Sequence, residues 1–266
     1  MPVPPIHLSP TRVFRTLLLA GVAAVALSAC AVNNASVGGA DYSGMSRAQT
    51  QATLAQLSAR YQSNPRDNRV AMQFAAALRA AGQPGQAVAV LQQSLTYTSN
   101  DPTLSIAYAK ALAADGSFDQ ALNVINDNIR PEAPDWNALV VKGAIYDQMG
   151  RNEEARALYS QALLIAPQQP SIEANLGLSF AMSNDLTQAE AHLRRAVAMP
   201  GATSQIRQNL ALILGLQGRF DEAQAIYQAE LPADQVQANM AYIRALLTQQ
   251  NRWNVIKSDT TGTANN

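Results

Sequence analysis

The chain is poor in the side chains that carry most enzyme and metal chemistry. Its 266 residues include one cysteine, Cys30, and two histidines, of which only His192 lies beyond that cysteine. An intrachain disulfide is therefore impossible, and a zinc site built from cysteine and histidine ligands is excluded. The neighbouring Arg194 and Arg195 favour a surface position for His192 rather than a catalytic one. No glycine-rich phosphate loop follows a strand pattern. We therefore expect no enzyme, and neither a metal nor a cofactor.

Charge is also scarce, and it is balanced. Charged residues make up 14% of the chain, and 19 bases stand against 19 acids. Binding to a nucleic-acid backbone needs a clustered basic face, which this balance does not predict. Glutamine, asparagine and alanine are abundant where lysine and glutamate would be common on helix faces. We expect a fold held together by helix packing with few ion pairs, and no nucleic-acid partner.

A 34-residue repeat dominates the rest of the sequence. Small turn residues recur at this spacing, and an alanine follows each of them five residues later: Gly82, Gly116, Gly150, Asn184 and Gly218, then Ala87, Ala121, Ala155, Ala189 and Ala223. Helix–turn–helix units of this period are typical of tetratricopeptide repeats, and the chain resembles that family. Glycine and asparagine suit a turn with positive φ, while alanine suits a close helix contact. The predicted fold is all-α, a tetratricopeptide solenoid of about five repeats with flanking capping helices.

The frames of the array follow from this spacing. Residues 68–237 form five repeats: 68–101, 102–135, 136–169, 170–203 and 204–237. In the third repeat Gly143 is the small residue of the first helix, and Tyr159 is the aromatic residue of the second. The fifth repeat departs from the pattern, since Glu230 replaces an alanine and Pro232 comes three residues before the usual proline site. We predict capping helices at 45–67 and 238–256, and a disordered tail at 257–266.

The N-terminal segment resembles a secretory signal. Arg12 and Arg15 precede an apolar run that is too short for a comfortable transmembrane helix. The run ends in Leu27-Ser28-Ala29-Cys30, which resembles the bacterial lipobox. This resemblance implies that residues 1–29 are a lipoprotein signal peptide and that Cys30 is acylated. The alternative is an ordinary signal peptide that happens to contain a cysteine.

Acylation of Cys30 would place the protein on a membrane. Two or more acyl chains hold a protein stably, whereas one holds it marginally. Residues 30–44 are rich in asparagine, serine, glycine and alanine, and we predict a flexible, lipidated tether there. By analogy with lipoprotein sorting, Ala31 after the cysteine implies the periplasmic face of the bacterial outer membrane. The expected membrane partner therefore binds through the lipid on Cys30.

The tetratricopeptide resemblance also implies a concave groove lined by the first helices. In such families positions two, five, six, nine, twelve and thirteen of each repeat tend to face the groove. The candidate groove residues are Met72, Ile106, Lys110, Val140, Asp147, Asn175, Leu178, Met182, Asn209, Leu212 and Leu216, together with Gln73 and Arg79. The lysine–asparagine clamp for a terminal carboxylate is not apparent. We hypothesise that an apolar or amphipathic protein segment binds there as a helix in a groove. The alternative is that several of these apolar residues are buried between helices.

The architecture as a whole resembles TadD, the tetratricopeptide lipoprotein family of the tight-adherence (Flp, type IVb) pilus system. The lipobox, the short tether, about five repeats and the closing segment from Met240 to Trp253 carry this resemblance. It implies a pilotin-like scaffold that helps the outer-membrane secretin of the pilus machine to form or localise. The alternative is an adaptor for cell-wall enzymes or for outer-membrane β-barrel assembly. The sequence does not fix the oligomeric state.

Overall fold

Helices make up all the regular structure of the described residues. The computed structural model describes residue 42, residues 45–127 and residues 134–262, with side chains as far as residue 249. The helices are α1 (Arg47–Ser63), α2 (Asn68–Ala80), α3 (Pro84–Tyr97), α4 (Pro102–Ala114), α5 (Phe118–Asn126), α6 (Trp136–Gln148), α7 (Asn152–Ile165), α8 (Pro170–Met182), α9 (Leu186–Ala198), α10 (Ser204–Leu216), α11 (Phe220–Glu230) and α12 (Ala233–Gly262). The predicted all-α solenoid is confirmed.

The helix boundaries keep the 34-residue step. The first helices of the five repeats are α2, α4, α6, α8 and α10, and they begin on the residues that open the five sequence frames. The second helices are α3, α5, α7, α9 and α11, and their starting residues are also 34 apart. The signal peptide, Cys30 and most of the predicted tether lie outside the described residues. Tyr42 is the exception, and it packs against the first core cluster.

Short polar side chains explain why most first helices begin where they do. The carboxylates of Asp67, Asp101 and Asp135 accept hydrogen bonds from the first N–H groups of α2, α4 and α6. The Thr203 hydroxyl caps α10 in the same way. These donors have no partner inside the helix, so a side-chain oxygen at this position fixes the helix start. Gln169, which precedes α8, makes no such bond, and Pro170 opens that helix instead.

The turn between the two helices of each repeat has one repeated geometry. Gly82, Gly116, Gly150, Asn184 and Gly218 all have positive φ, between 63° and 83°. In each repeat the next N–H donates back to the carbonyl of the large residue near the end of the first helix. These bonds run from Gln83 to Leu78, Ser117 to Leu112, Arg151 to Tyr146, Asp185 to Phe180 and Arg219 to Leu214, at 2.8–2.9 Å. This Schellman-type closure holds the two helices of a repeat in an antiparallel pair.

The core is a series of clusters rather than one centre. Separate groups of buried residues are found around the first repeat, the second repeat, the third repeat, and the fourth and fifth repeats with α12. Each second helix packs on its own first helix and on the next one along the chain. First helices also contact the first helices of neighbouring repeats. This quasi-linear packing puts the first helices side by side along one face of the array.

The irregular fifth repeat is explained by an ion pair. Glu230 stands where the third and fourth repeats have the buried alanines Ala162 and Ala196. Its carboxylate makes a two-pronged contact with the Arg207 guanidinium, in which Arg207 Nη2 lies 3.1 Å from Glu230 Oε2. Arg207 also donates to the Ala202 carbonyl at 3.0 Å. The repeat therefore replaces an apolar helix contact with a charged one.

The C-terminal helix is longer than predicted. It spans Ala233–Gly262, whereas the sequence predicts a capping helix at 238–256 and disorder from residue 257. The early Pro232 ends the fifth repeat sooner, so residues 233–237 join the cap. No proline or glycine interrupts the segment before Gly262, so nothing in it stops the helix earlier. The predicted tail is thus helical as far as residue 262.

Candidate partner-binding surface

The row of first helices places the predicted groove residues at different depths. Met72, Lys110, Met182, Leu212 and Leu216 are half-buried, whereas Ile106, Val140, Asp147, Asn175, Leu178 and Asn209 are buried. Ile106 belongs to the second core cluster and Val140 to the third, so both pack between helices. The half-buried apolar residues Leu212 and Leu216 lie at the edge of the last cluster. The apolar part of the surface that a partner could reach is therefore concentrated in the last two repeats.

Two of the predicted polar groove residues are engaged inside the array. Lys110 Nζ donates to Asn137 Oδ1 at 3.1 Å, which links α4 to α6. Asp147 lies at the end of α6 and accepts three hydrogen bonds. Tyr159 donates to its Oδ2 at 2.8 Å, and Asn152 and Ser179 donate to its Oδ1 at 2.7 Å. Because Ser179 belongs to the next repeat, Asp147 joins the third repeat to the fourth.

The environment of Asp147 is that of a structural carboxylate. Burial raises the pKa of its carboxyl above the usual value, although the three hydrogen bonds and the charge of Arg156 lower the pKa in part. The pattern of the sequence points to Asp147 as a groove residue, but its oxygens are occupied by neighbours in the fold. Two of its partners, Tyr159 and Ser179, lie 12 and 32 residues away along the chain, so the sequence pattern around Asp147 does not reveal them.

His192 is half-buried, and it is part of a second polar group. Its Nδ1 lies 2.6 Å from Glu173 Oε2, and Arg195 Nε donates to Glu173 Oε1 at 3.2 Å. The imidazole stacks on Phe180 with ring centroids 5.2 Å apart. His192 is therefore not the simple surface residue that its flanking arginines predict. The group ties α8 to α9 and leaves no nucleophile paired with the imidazole among the contacts described.

A third set of polar atoms lacks hydrogen-bond partners. Within the described part of the chain, four buried side-chain atoms have no partner: Asn68 Oδ1, Ser171 Oγ, Asn175 Nδ2 and Asn209 Nδ2. The last three belong to the first helices of the last two repeats. Asn175 and Asn209 are 34 residues apart and so occupy the same position in consecutive repeats. Sequence analysis does not single out Ser171, although it is the second residue of its repeat, a position that tends to face the groove.

Buried amides without a hydrogen-bond partner lower the stability of a folded protein. Leaving a buried donor without an acceptor costs about 1–3 kcal/mol, and native structures contain few such groups. Asn209 is half satisfied, since its Oδ1 accepts from Gln205 Nε2 at 3.1 Å while its Nδ2 donates to nothing described. The first helices of the last two repeats thus carry repeated unpaired hydrogen-bond donors below the surface, and the same helices carry the half-buried Met182, Leu212 and Leu216.

The described residues contain no candidate metal site and no candidate membrane span. Their histidines and acids form no group of three that could hold a metal ion. Across the same residues, no helix combines the length and the apolar character that a membrane span needs.

Comparison with protein families decides the class of the chain. The model of the tetratricopeptide repeat-like domain matches residues 31–177, which is more than half of the chain. The chain belongs to the tetratricopeptide repeat-like family. A second tetratricopeptide repeat model matches residues 174–238, so the two matches cover the whole array. Folds of this family generally serve as non-catalytic scaffolds for protein–protein interaction.

One curated relative matches part of the chain. The tetratricopeptide chain is 37% identical over 105 residues to the uncharacterized protein y4yS of Sinorhizobium fredii, over 39% of this chain and 57% of the relative. It therefore spans little more than half the length of that relative.

Two solved structures show the fold alone, because both are under 25% identical to this chain. A thermophilic tetratricopeptide protein of Thermus thermophilus has a TM-score of 0.58 at 22% identity, over 67% of this chain and 99% of that one. A chain of the Cut9–Hcn1 hetero-tetramer of the APC/C has a TM-score of 0.56 at 14% identity, over 78% of this chain and 40% of that one.

Proposed function

We propose that this tetratricopeptide protein is a scaffold, anchored to the periplasmic face of the bacterial outer membrane by a lipid on Cys30. Its partner is a protein segment bound along the first helices of the fourth and fifth repeats. The observation that carries the binding site is the pair of unpaired amides, Asn175 Nδ2 and Asn209 Nδ2, at equivalent positions of these repeats. Both amides are buried, so binding requires the side chains that cover them to move aside.

An extended segment fits this arrangement better than the amphipathic helix expected from the sequence. A helix satisfies its own carbonyls, whereas an extended strand leaves them free to accept hydrogen bonds. Because α8 and α10 are in contact, their amides are about one helix spacing, 8–10 Å, apart. This spacing matches carbonyls three residues apart in an extended segment of polyproline II conformation, which makes one turn in three residues, rises about 3.1 Å per residue and leaves its carbonyls free. Met182, Leu212 and Leu216 then provide apolar contacts for the side chains of the segment.

The finer role that we propose is that of a pilotin-like assembly factor for the secretin of a Flp, or type IVb, pilus machine. The support is the lipobox ending at Cys30, the five-repeat array and the closing segment from Met240, all of which resemble the TadD family. The rival role is an adaptor for cell-wall enzymes or for outer-membrane β-barrel assembly.

The test is an affinity pull-down of the tagged protein from detergent-solubilised outer membranes, read by mass spectrometry. We expect the wild-type protein to enrich a secretin and other pilus components. Cys30→Ala should lose or weaken this enrichment because the lipid anchor is removed. Enrichment of cell-wall hydrolases or barrel-insertion proteins instead would overturn the pilus assignment and favour the rival role.

A second pair of variants tests the binding site itself. Asn175→Leu with Asn209→Leu removes both donors and should abolish capture of the partner. Because it also removes two unpaired buried amides, its thermal stability should equal or exceed that of the wild type. The matched control is Gln161→Leu with Gln228→Leu, at exposed positions on second helices, which should still capture the partner. Full capture by the Asn175/Asn209 variant would contradict the proposed site.

A further inference from the structure

The balanced total charge hides an uneven distribution along the array. Between residues 42 and 100 the chain has five arginines and one acid, Asp67. Between residues 101 and 237 it has nine bases and sixteen acids. The N-terminal end of the array is therefore positively charged and the remainder is negatively charged.

Three of the N-terminal arginines surround a single turn. Arg60 lies in the last turn of α1, Arg66 lies between α1 and α2, and Arg69 lies in the first turn of α2. All three are exposed, and we call them the basic turn. The acid among them, Asp67, caps α2 by accepting from the Val70 N–H at 3.1 Å. The positive end of the α2 dipole disfavours cations, so helix stability does not explain Arg66 and Arg69.

Five of the six arginines in the last three repeats behave differently. In the last three repeats, carboxylates pair with the guanidinium groups of Arg151, Arg194, Arg195, Arg207 and Arg219. Within the described residues, no carboxylate pairs with the basic turn. Arg66 lies over the Tyr97 ring at 5.3 Å, which supports the side chain but leaves its charge unneutralised. Exposed cations without internal acids are suited to an external anion.

The N-terminal segment joins the array beside the basic turn. Tyr42 packs on the first core cluster, and burial raises the pKa of its phenol while the charge of nearby Arg60 lowers that pKa in part. The twelve residues from Cys30 to Tyr42 can span at most about 40 Å. A lipid on Cys30 would therefore keep Tyr42 within about 40 Å of a membrane surface, and the basic turn lies at the same end of the array as Tyr42.

We propose that the basic turn docks on the anionic phospholipid headgroups of the membrane that holds the lipid anchor. This proposal rests on the proposed acylation of Cys30. Anionic headgroups attract nearby arginines, and this attraction fades within about one Debye length, 8–10 Å. Docking of the N-terminal end leaves the acidic repeats, with the partner-binding surface, directed away from the lipid. The lipid and the basic turn together set the orientation of the scaffold.

The test uses the full lipoprotein reconstituted in vesicles. A dye on Ser63→Cys, at the end of α1, reports its distance from quencher-labelled lipid headgroups. The vesicles contain either phosphatidylcholine alone or phosphatidylcholine with phosphatidylglycerol. Each arginine near an anionic surface shifts docking by about fivefold, so phosphatidylglycerol should raise quenching clearly. Raised salt should reverse this rise.

The variant that tests the basic turn is Arg60→Gln, Arg66→Gln and Arg69→Gln. It should remove the response to phosphatidylglycerol. The matched control, Arg151→Gln, Arg194→Gln and Arg244→Gln, changes net charge equally at exposed positions and should keep the response. Flotation with neutral vesicles reports the lipid anchor alone, so failure to float would overturn the anchor. If the protein floats but phosphatidylglycerol does not change the quenching, the proposed docking is wrong and the lipid anchor is retained. An acidic protein segment would then be favoured as the ligand of the basic turn.

Discussion

The Tyr159 hydroxyl donates a hydrogen bond to Asp147 Oδ2 at 2.8 Å, and both side chains are buried. The bond joins the two helices of the third repeat, and Ser179 extends it into the fourth. A bond of this kind is worth most where its loss leaves a charged acceptor short of a donor.

Tyr159→Phe should destabilise the protein by about 1–3 kcal/mol, because the buried Asp147 carboxylate loses one of its three donors. Denaturant unfolding followed by circular dichroism measures this change. Tyr227→Phe is the matched control, at the equivalent position of the fifth repeat. Burial raises the pKa of Tyr227 to about 12, and no hydrogen bond from its hydroxyl is described. Equal losses in the two variants would show that the Asp147 bond contributes nothing.

The pH dependence of stability should carry a contribution from Asp147. Because burial raises the pKa of its carboxyl in the folded state, this group favours folding most below its unfolded pKa. That contribution is lost as the pH rises through the folded pKa. Relative to Asp147→Asn, the wild type should therefore gain stability as the pH falls from neutral towards the usual carboxyl range. Unfolding free energies of both proteins at several pH values test this, and a constant difference would contradict it.

Two glycines that meet different neighbours should differ in their tolerance of alanine. A Cβ atom at Gly177 would lie 2.9 Å from the Ala189 carbonyl oxygen, which is backbone, and 2.8 Å from Leu193 Cγ. At Gly215 it would lie 2.7 Å from Ile243 Cδ1 and 3.0 Å from Ile243 Cγ2, which are side-chain methyl groups and not backbone. Gly177→Ala should cost about 2–3 kcal/mol and Gly215→Ala about 1 kcal/mol or less, as measured by thermal unfolding. The reverse order would show that α9 moves more easily than the Ile243 side chain.

The ion pair of the fifth repeat should show coupling. Glu230→Ala restores the alanine of the regular repeats but leaves Arg207 without its carboxylate. The single variants should each lose stability, and Arg207→Leu with Glu230→Ala should recover part of the loss. For a pair in which Arg207 is about a third exposed and Glu230 is mostly buried, we expect a coupling energy of about 1 kcal/mol. A double-mutant cycle at low and high salt measures this coupling energy. If it is absent at both salt concentrations, the interaction between Arg207 and Glu230 does not contribute to stability.

Local patterns predict the array well. The step from Gly82 to Gly116 sets the turn, and the aspartates before the first helices set their starts, since both act within a few residues. The sequence therefore predicts the fold class, and its frames open on the residues where the first helices begin. The acylation of Cys30 stays a prediction, because that residue lies outside the described residues.

The polar contacts between helices could not be predicted in the same way. Asp147 and Ser179 are separated by 32 residues, and Glu230 and Arg207 by 23 residues. Neither pair is therefore recognisable from the sequence alone. Repeat position predicts that Asp147 faces the groove, but three hydrogen-bond donors surround its carboxylate in the fold. The unpaired amides of Asn175 and Asn209 become visible only when the packing around them is known.

The constant step of the helix boundaries has an evolutionary consequence. Because first helices begin at Pro102, Trp136, Pro170 and Ser204, a segment of 34 residues can be duplicated or deleted without altering how the adjoining helices meet. The array can therefore change length in whole units, and its partner-binding surface changes by the same units. Adaptation to a longer or shorter partner would need recombination between repeats rather than a redesigned core.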